Sequence, residues 1–138
     1  MWIKNNHTFS HSQTISEDGE IVHNSDLTAD GKMLVIAYWF TTNAKVYENI
    51  NGKFKLFQTF SHYADSVAIT DDHQWIALGS YSEIEIYQLN ENKYMKDHVV
   101  SLPNGGLHQI AMSQDHSFLV VGTTGQYAYV YKHNGEKF

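Results

Sequence analysis

An all-β fold assembled from about three repeated four-stranded units is what this 138-residue sequence predicts, and three observations carry that expectation. Thr28-Ala29-Asp30-Gly31 recurs as Thr70-Asp71-Asp72-His73 and as Ser113-Gln114-Asp115-His116, each copy lying between two alternating apolar runs. Val46-Tyr47-Glu48 returns as Ile86-Tyr87-Gln88 and Val130-Tyr131-Lys132, and seven residues past each Tyr stands an aromatic, Phe54, Tyr94 or Phe138. Helical periodicity is nowhere convincing, and the single proline, Pro103, falls between alternating runs. A period of roughly 40 to 45 residues with four short strands per period is the mark of β-propeller blades. The expected class is therefore a set of propeller repeats that forms an incomplete ring or half of an oligomeric one.

The elements follow in order. The first full unit places strands near 22 to 28, 32 to 38, 43 to 48 and 53 to 60. The second places them near 65 to 70, 74 to 80, 83 to 88 and 93 to 100, and the third near 107 to 112, 117 to 123 and 126 to 132. The repeats run approximately over 1–21 (partial), 22–63, 64–106 and 107–138 (partial). The chain opens inside a repeat, since Phe9, Gln13, Thr14, Ile15 and Ser16 match Phe54, Gln58, Thr59, Phe60 and Ser61, and Trp2 precedes Phe9 by the same seven residues. Asp30-Gly31 is a hairpin signal, because glycine accepts the positive φ of a tight turn. His73 and His116 take that place in the other copies, and His is one of the side chains enriched in the left-handed region. Asn51-Gly52 has the same logic at the next turn.

Composition narrows the partners. A net charge of −6 with nine Lys and Arg scattered along the chain lacks the basic stripe that tracks phosphates, so no nucleic acid is expected. No run approaches the roughly 18 apolar residues of a membrane helix, so no membrane partner is expected either. Without cysteine there is no disulfide framework, thiol nucleophile or thiolate metal site, which suits a reducing compartment and makes the cytoplasm the expected location.

With a Ser/Thr-x-Asp-Gly/His turn, a Gly79-Ser80 or Gly122-Thr123 pair closing the second strand and an apolar-Tyr pair in the third, the chain resembles WD-repeat and YVTN-type propellers over nearly its whole length. Runs such as Ser66-Val67-Ala68-Ile69-Thr70 are similar to the first strands of those repeats. Tyr47-Glu48, Tyr87-Gln88 and Tyr131-Lys132 stand where WD repeats carry Trp-Asp, and the Gly-His dipeptide is missing, so the hydrogen-bond network of that family does not transfer. Propellers close with about four to eight blades. Three arrangements accommodate three: a window cut from a longer array, a homodimer giving six blades, or a different protein supplying the remainder. A partner's residues 8 to 15 would complete the last blade in trans.

Two functions are compatible with this architecture. In the first the chain is a non-catalytic interaction module that presents loops from one face to a protein partner. Those loops gather Tyr38, Trp39, Phe40, His62, Tyr63, Asp65, Tyr81, Glu83 and His108, with Tyr38-Trp39-Phe40 as the anchor in a connection about two residues longer than its Ser80-Tyr81-Ser82 counterpart. The competing reading of that tripeptide packs one or two of the rings between blades. The second function is an enzyme or small-ligand binder of the lactonase or quinoprotein kind, which would set Asp65, Glu83 and His108 around a metal or substrate at the channel mouth. No nucleophile elbow or phosphate-cradling loop is present, and no cofactor or metal is expected: the nine histidines lack helical zinc spacing, and Glu17-Asp18-Gly19-Glu20 lacks the alternating carboxylates of a calcium loop.

Overall fold

The computed structural model describes residues 9–39 and 43–138, and it contains no helix in them. Eleven strands form three antiparallel sheets. The first holds β1 (Ile21–Leu27), β2 (Met33–Trp39), β3 (Lys45–Ile50) and β4 (Lys53–Thr59). The second holds β5 (Ser66–Ile69), β6 (Trp75–Gly79), β7 (Glu83–Asn90) and β8 (Lys93–Ser101). The third holds β9 (Leu107–Met112), β10 (Phe118–Thr123) and β11 (Ala128–Lys132). Within each sheet, neighbours in sequence are neighbours in space, so each is a simple meander.

The repeated turn explains why these strands pair in this register. The hydroxyl of Thr28 donates to Asp30 Oδ1 at 2.7 Å and accepts the N–H of Met33 at 3.0 Å. Thr70 does the same with Asp72 (2.6 Å) and Trp75 (3.1 Å), and Ser113 with Asp115 (2.7 Å) and Phe118 (2.9 Å). Each network closes the chain onto a left-handed residue: Gly31 at φ 71°, His73 at 65° and His116 at 59°. The two histidines therefore occupy the conformation expected from their alignment with glycine. A register shift falls at Val46/Tyr47 in β3 and at Ile86/Tyr87 in β7, so even the bulge repeats.

The sheets pack face on face. Met33, Val35, Ala37 and Val46 of the first sheet meet Val67, Ile69, Ile76, Leu78, Tyr87 and Tyr94 of the second. The other face of the second sheet, with Ala68, Ala77, Ile84 and Ile86, meets Leu107, Ile110, Leu119 and Val121 of the third. Strand alternation thus buries both faces of the middle sheet.

Side chains staple successive units through the backbone. Gln58 donates to the carbonyl of Tyr94 (2.9 Å) and accepts its N–H (2.8 Å). Gln13 does the same to Phe54 (2.9 and 2.8 Å), and His98 Nε2 accepts the N–H of Phe138 (3.1 Å). Gln13 therefore sits where a fourth strand would lie, although residues 9–20 form no ladder. Along the inner strands, Asn24 accepts the N–H of Val67 and Ser66 that of Ile110, both at 3.0 Å. On the outward face of the third sheet, Phe118, Val120 and Val130 are 44%, 39% and 66% exposed, at positions whose counterparts in the first sheet are buried.

Candidate functional site

The alternation Glu83-Ile84-Glu85-Ile86 turns two carboxylates to one face of β7 and two isoleucines to the other. Glu85 is carried into the packed space between the first and second sheets, where it is only 5% exposed. A buried carboxylate must be paired to remain ionised. Here Lys96 Nζ, from β8, lies 2.8 Å from Oε1; the Tyr87 hydroxyl donates to Oε2; and His62 Nδ1, on the connection between β4 and β5, lies 3.4 Å from Oε1. Burial alone would raise the pKa of Glu85, but the bonds from Lys96 and Tyr87 and the charges of His62 and Lys96 hold it below the usual glutamate value. Burial and the bond to Glu85 push the Tyr87 phenol up. Glu83 is half-buried beside them, and His62, Glu83 and Glu85 each offer a ligand atom within 4.8 Å of the others. The remaining nitrogen of His62, Nε2, is enclosed and has no hydrogen-bond partner among the described residues.

Tyr87 and Lys96 also belong to the wall of a groove of about 290 Å³ between β4 and β8, whose polar walls include Gln58, Thr59, Ser61 and Lys93. A second groove, about 310 Å³, follows the inner strands past Asn24, Asp26, Gln109 and Gln114. Asn24 and Asp26 there are already engaged by the backbone of β5.

The residues expected at the loops divide. His62 and Glu83 come together, joined by Glu85. Asp65 does not reach them: it accepts the Tyr63 hydroxyl at 2.5 Å, a bond that together with burial pushes the Tyr63 phenol up to about 12, and its carbonyl lies 2.8 Å from His23 Nδ1. His108 is exposed on β9 and joins no such group among the described residues. Tyr38 offers no surface to a partner. It is fully buried with its hydroxyl 3.0 Å from that of Tyr47, because β2 continues its Leu34-Ile36-Tyr38 alternation inward before the loop begins. Trp39 is 44% exposed beside the ring of His23, Tyr81 is 66% exposed against Gly105, and Phe40 lies outside the described residues. Glu17 is paired with Lys45.

Glu85, Tyr87 and Lys96 were absent from the expected site. The signal for Glu85 is in the sequence, as a charged residue two positions before the repeated Tyr of the third strand, on the face that strand buries. Lys96 carries no such signal, since it meets Glu85 only across the bulged β7–β8 pairing.

Among the solved structures that resemble this chain are two crystal structures of proteins proposed to be 6-phosphogluconolactonases. The one from Bacteroides fragilis shares 11% identity at a TM-score of 0.64, covering 83% of this chain and 35% of its own. The one from Bacteroides uniformis shares 13% at 0.67, covering 83% and 37%. The fold is that of a β-propeller. The chain spans about a third of the length of these propellers, and at such identity the likeness concerns the fold alone. No family model matches, that of the WD repeat included, and no curated protein matches.

Proposed function

We propose that this chain contributes a small-ligand site to a propeller of the lactonase kind, at the groove between the first and second sheets. The observation that carries the reading is the buried Glu85 carboxylate, held by Lys96, Tyr87 and His62 at a polar groove that two of these residues also line. Lys93 and Lys96 would meet an anionic group, phosphate or carboxylate, while the Thr59 and Ser61 hydroxyls suit a polyhydroxylated body. The proteins described as 6-phosphogluconolactonases make phosphorylated sugar lactones the first class to test. Calorimetry with 6-phosphogluconate, alongside a hydrolysis assay on its lactone, tests this. Saturable binding that Lys96→Met weakens tenfold or more, and Lys45→Met leaves unchanged, is expected. Binding indifferent to Lys96, or none at millimolar ligand, would overturn it.

A second reading, an interaction module that receives a protein partner or further blades, is favoured by the open face of Phe118, Val120 and Val130. A second copy of the chain would serve as such a partner. Light scattering should then show a dimer that Val130→Lys dissociates; a monomer at all concentrations removes the homodimer.

A further inference from the structure

The three inter-unit junctions place equivalent residues in the same layer. Two positions before the third-strand tyrosines stand Lys45, Glu85 and Tyr129; facing them, one position after Ser16, Ser61 and Ser101, stand Glu17, His62 and Leu102. The first junction holds one acid on one base, Glu17 on Lys45. At the third the Tyr129 hydroxyl accepts from Asn104 at 3.0 Å, and Leu102 is buried among apolar side chains. Only the middle junction adds a second carboxylate, Glu83, where the others have Asn43 and Tyr127, and a lysine, Lys96, where the first has Leu56.

That junction is unbalanced. Two carboxylates face one ammonium, and Lys96 is half exposed, so its flexible stem can withdraw the charge to water. An imidazole stands 3.4 Å from Glu85 Oε1, with its second nitrogen enclosed and unpartnered among the described residues. One nitrogen and two carboxylate oxygens within 4.8 Å of one another form the donor set of a borderline divalent cation, with coordination positions left for solvent or ligand.

We infer that His62, Glu83 and Glu85 bind a divalent cation of the zinc or manganese class, and that Lys96 competes with it for Glu85 Oε1. The ion neutralises the excess negative charge and displaces the ammonium toward the groove, where both would face an anionic ligand. This deepens the reading above and rests on it for the ion's role, though not for its binding.

The test is calorimetric titration of the chelator-treated chain with ZnCl2, MnCl2 and CaCl2, with metal content after dialysis. One zinc or manganese ion per chain is expected, with calcium weaker. Glu85→Gln and His62→Ala should each weaken it at least tenfold, while Lys96→Met tightens it several-fold. That last result separates the site from adventitious binding by histidines elsewhere, since removing the Lys96 charge strengthens binding appreciably only for an ion that sits beside it. Should Glu85→Gln fail to keep the strand circular dichroism, His62→Ala and Lys96→Met still decide. Absence of a stoichiometric ion, or binding unmoved by His62→Ala and by Lys96→Met, overturns the inference. Metal binding with no response to 6-phosphogluconate would remove the ligand reading alone. Ligand binding unaffected by chelator would remove the metal alone.

Discussion

The junction between the first and second sheets and the junction between the second and third are made from the same repeat, but they put their polar groups to different uses. The first concentrates Glu83, Glu85, His62 and Lys96 around one buried carboxylate at a groove. The second buries aromatic and imidazole rings instead: His116 stacks on Trp75 with centroids 3.7 Å apart, and His98, His133 and Phe138 close around it. Both keep an apolar frame, with Leu78 and Leu119 each fully buried. A propeller can thus keep its scaffold constant while a single layer of each junction is free to carry charge.

The largest effects should fall on what the junctions share. Leu78→Ala and Leu119→Ala each delete a buried branched side chain, and each should cost about 2–5 kcal/mol in denaturant unfolding. A loss below about 1 kcal/mol at either would mean that one junction is loosely packed and that the comparison fails.

Lowering the pH should separate the two. His116 is held down near pH 4, first by burial and then by the neighbouring His133 and His98, against the opposing charges of Asp97 and Asp72. An unfolded histidine titrates near 6.5, so between about pH 6.5 and 4 the unfolded chain takes up the proton that the folded one refuses. Stability should fall as pH is lowered through that window, on the order of 2 kcal/mol, with no further loss from this group below it. His116→Phe, which keeps a ring against Trp75, should flatten the dependence; an unchanged slope would place the sensitivity elsewhere. Asp30, lowered to about 2 chiefly by the Thr28 hydroxyl, and Asp115, lowered to about 2 by the Ser117 and Ser113 hydroxyls, act later. Their contribution is present above about pH 4 and is lost as pH falls toward 2.

The staples should give the next smaller change. Gln58→Ala removes two bonds to the Tyr94 backbone and should cost about 1–2 kcal/mol, with faster amide exchange at Tyr94 as the local readout. The smallest difference is expected at the charged layer. Lys45→Met, which leaves the partly exposed Glu17 carboxylate free to turn to water, should change stability by less than about 1 kcal/mol.

Much of this frame was legible in the sequence. The strand positions fall within about two residues of those expected, and the left-handed His73 and His116 follow from their alignment with Gly31. The Ser/Thr-x-Asp turns act locally, over five residues, which is why a linear pattern reveals them. The charged site depends instead on residues from the β4–β5 connection, β7 and β8 meeting across a bulge, and alternation yields only the burial of Glu85. Tyr38 counts toward a lengthened loop in the sequence but lies in β2, because loop length counts residues without saying where a strand's inward alternation stops. The Gln13 staple shows the converse, a side chain holding its repeat position where no ladder forms.

The most direct measurement of the difference between the two junctions is a heteronuclear NMR titration of the chain with ZnCl2 and then 6-phosphogluconate. Shifts concentrated at His62, Glu83 to Tyr87 and Lys96, with the signals of His98, His116 and His133 unmoved, are the expected result. Shifts centred on the junction between the second and third sheets or on the inner-strand groove, or none at all, would contradict the assignment of function to the junction between the first and second sheets.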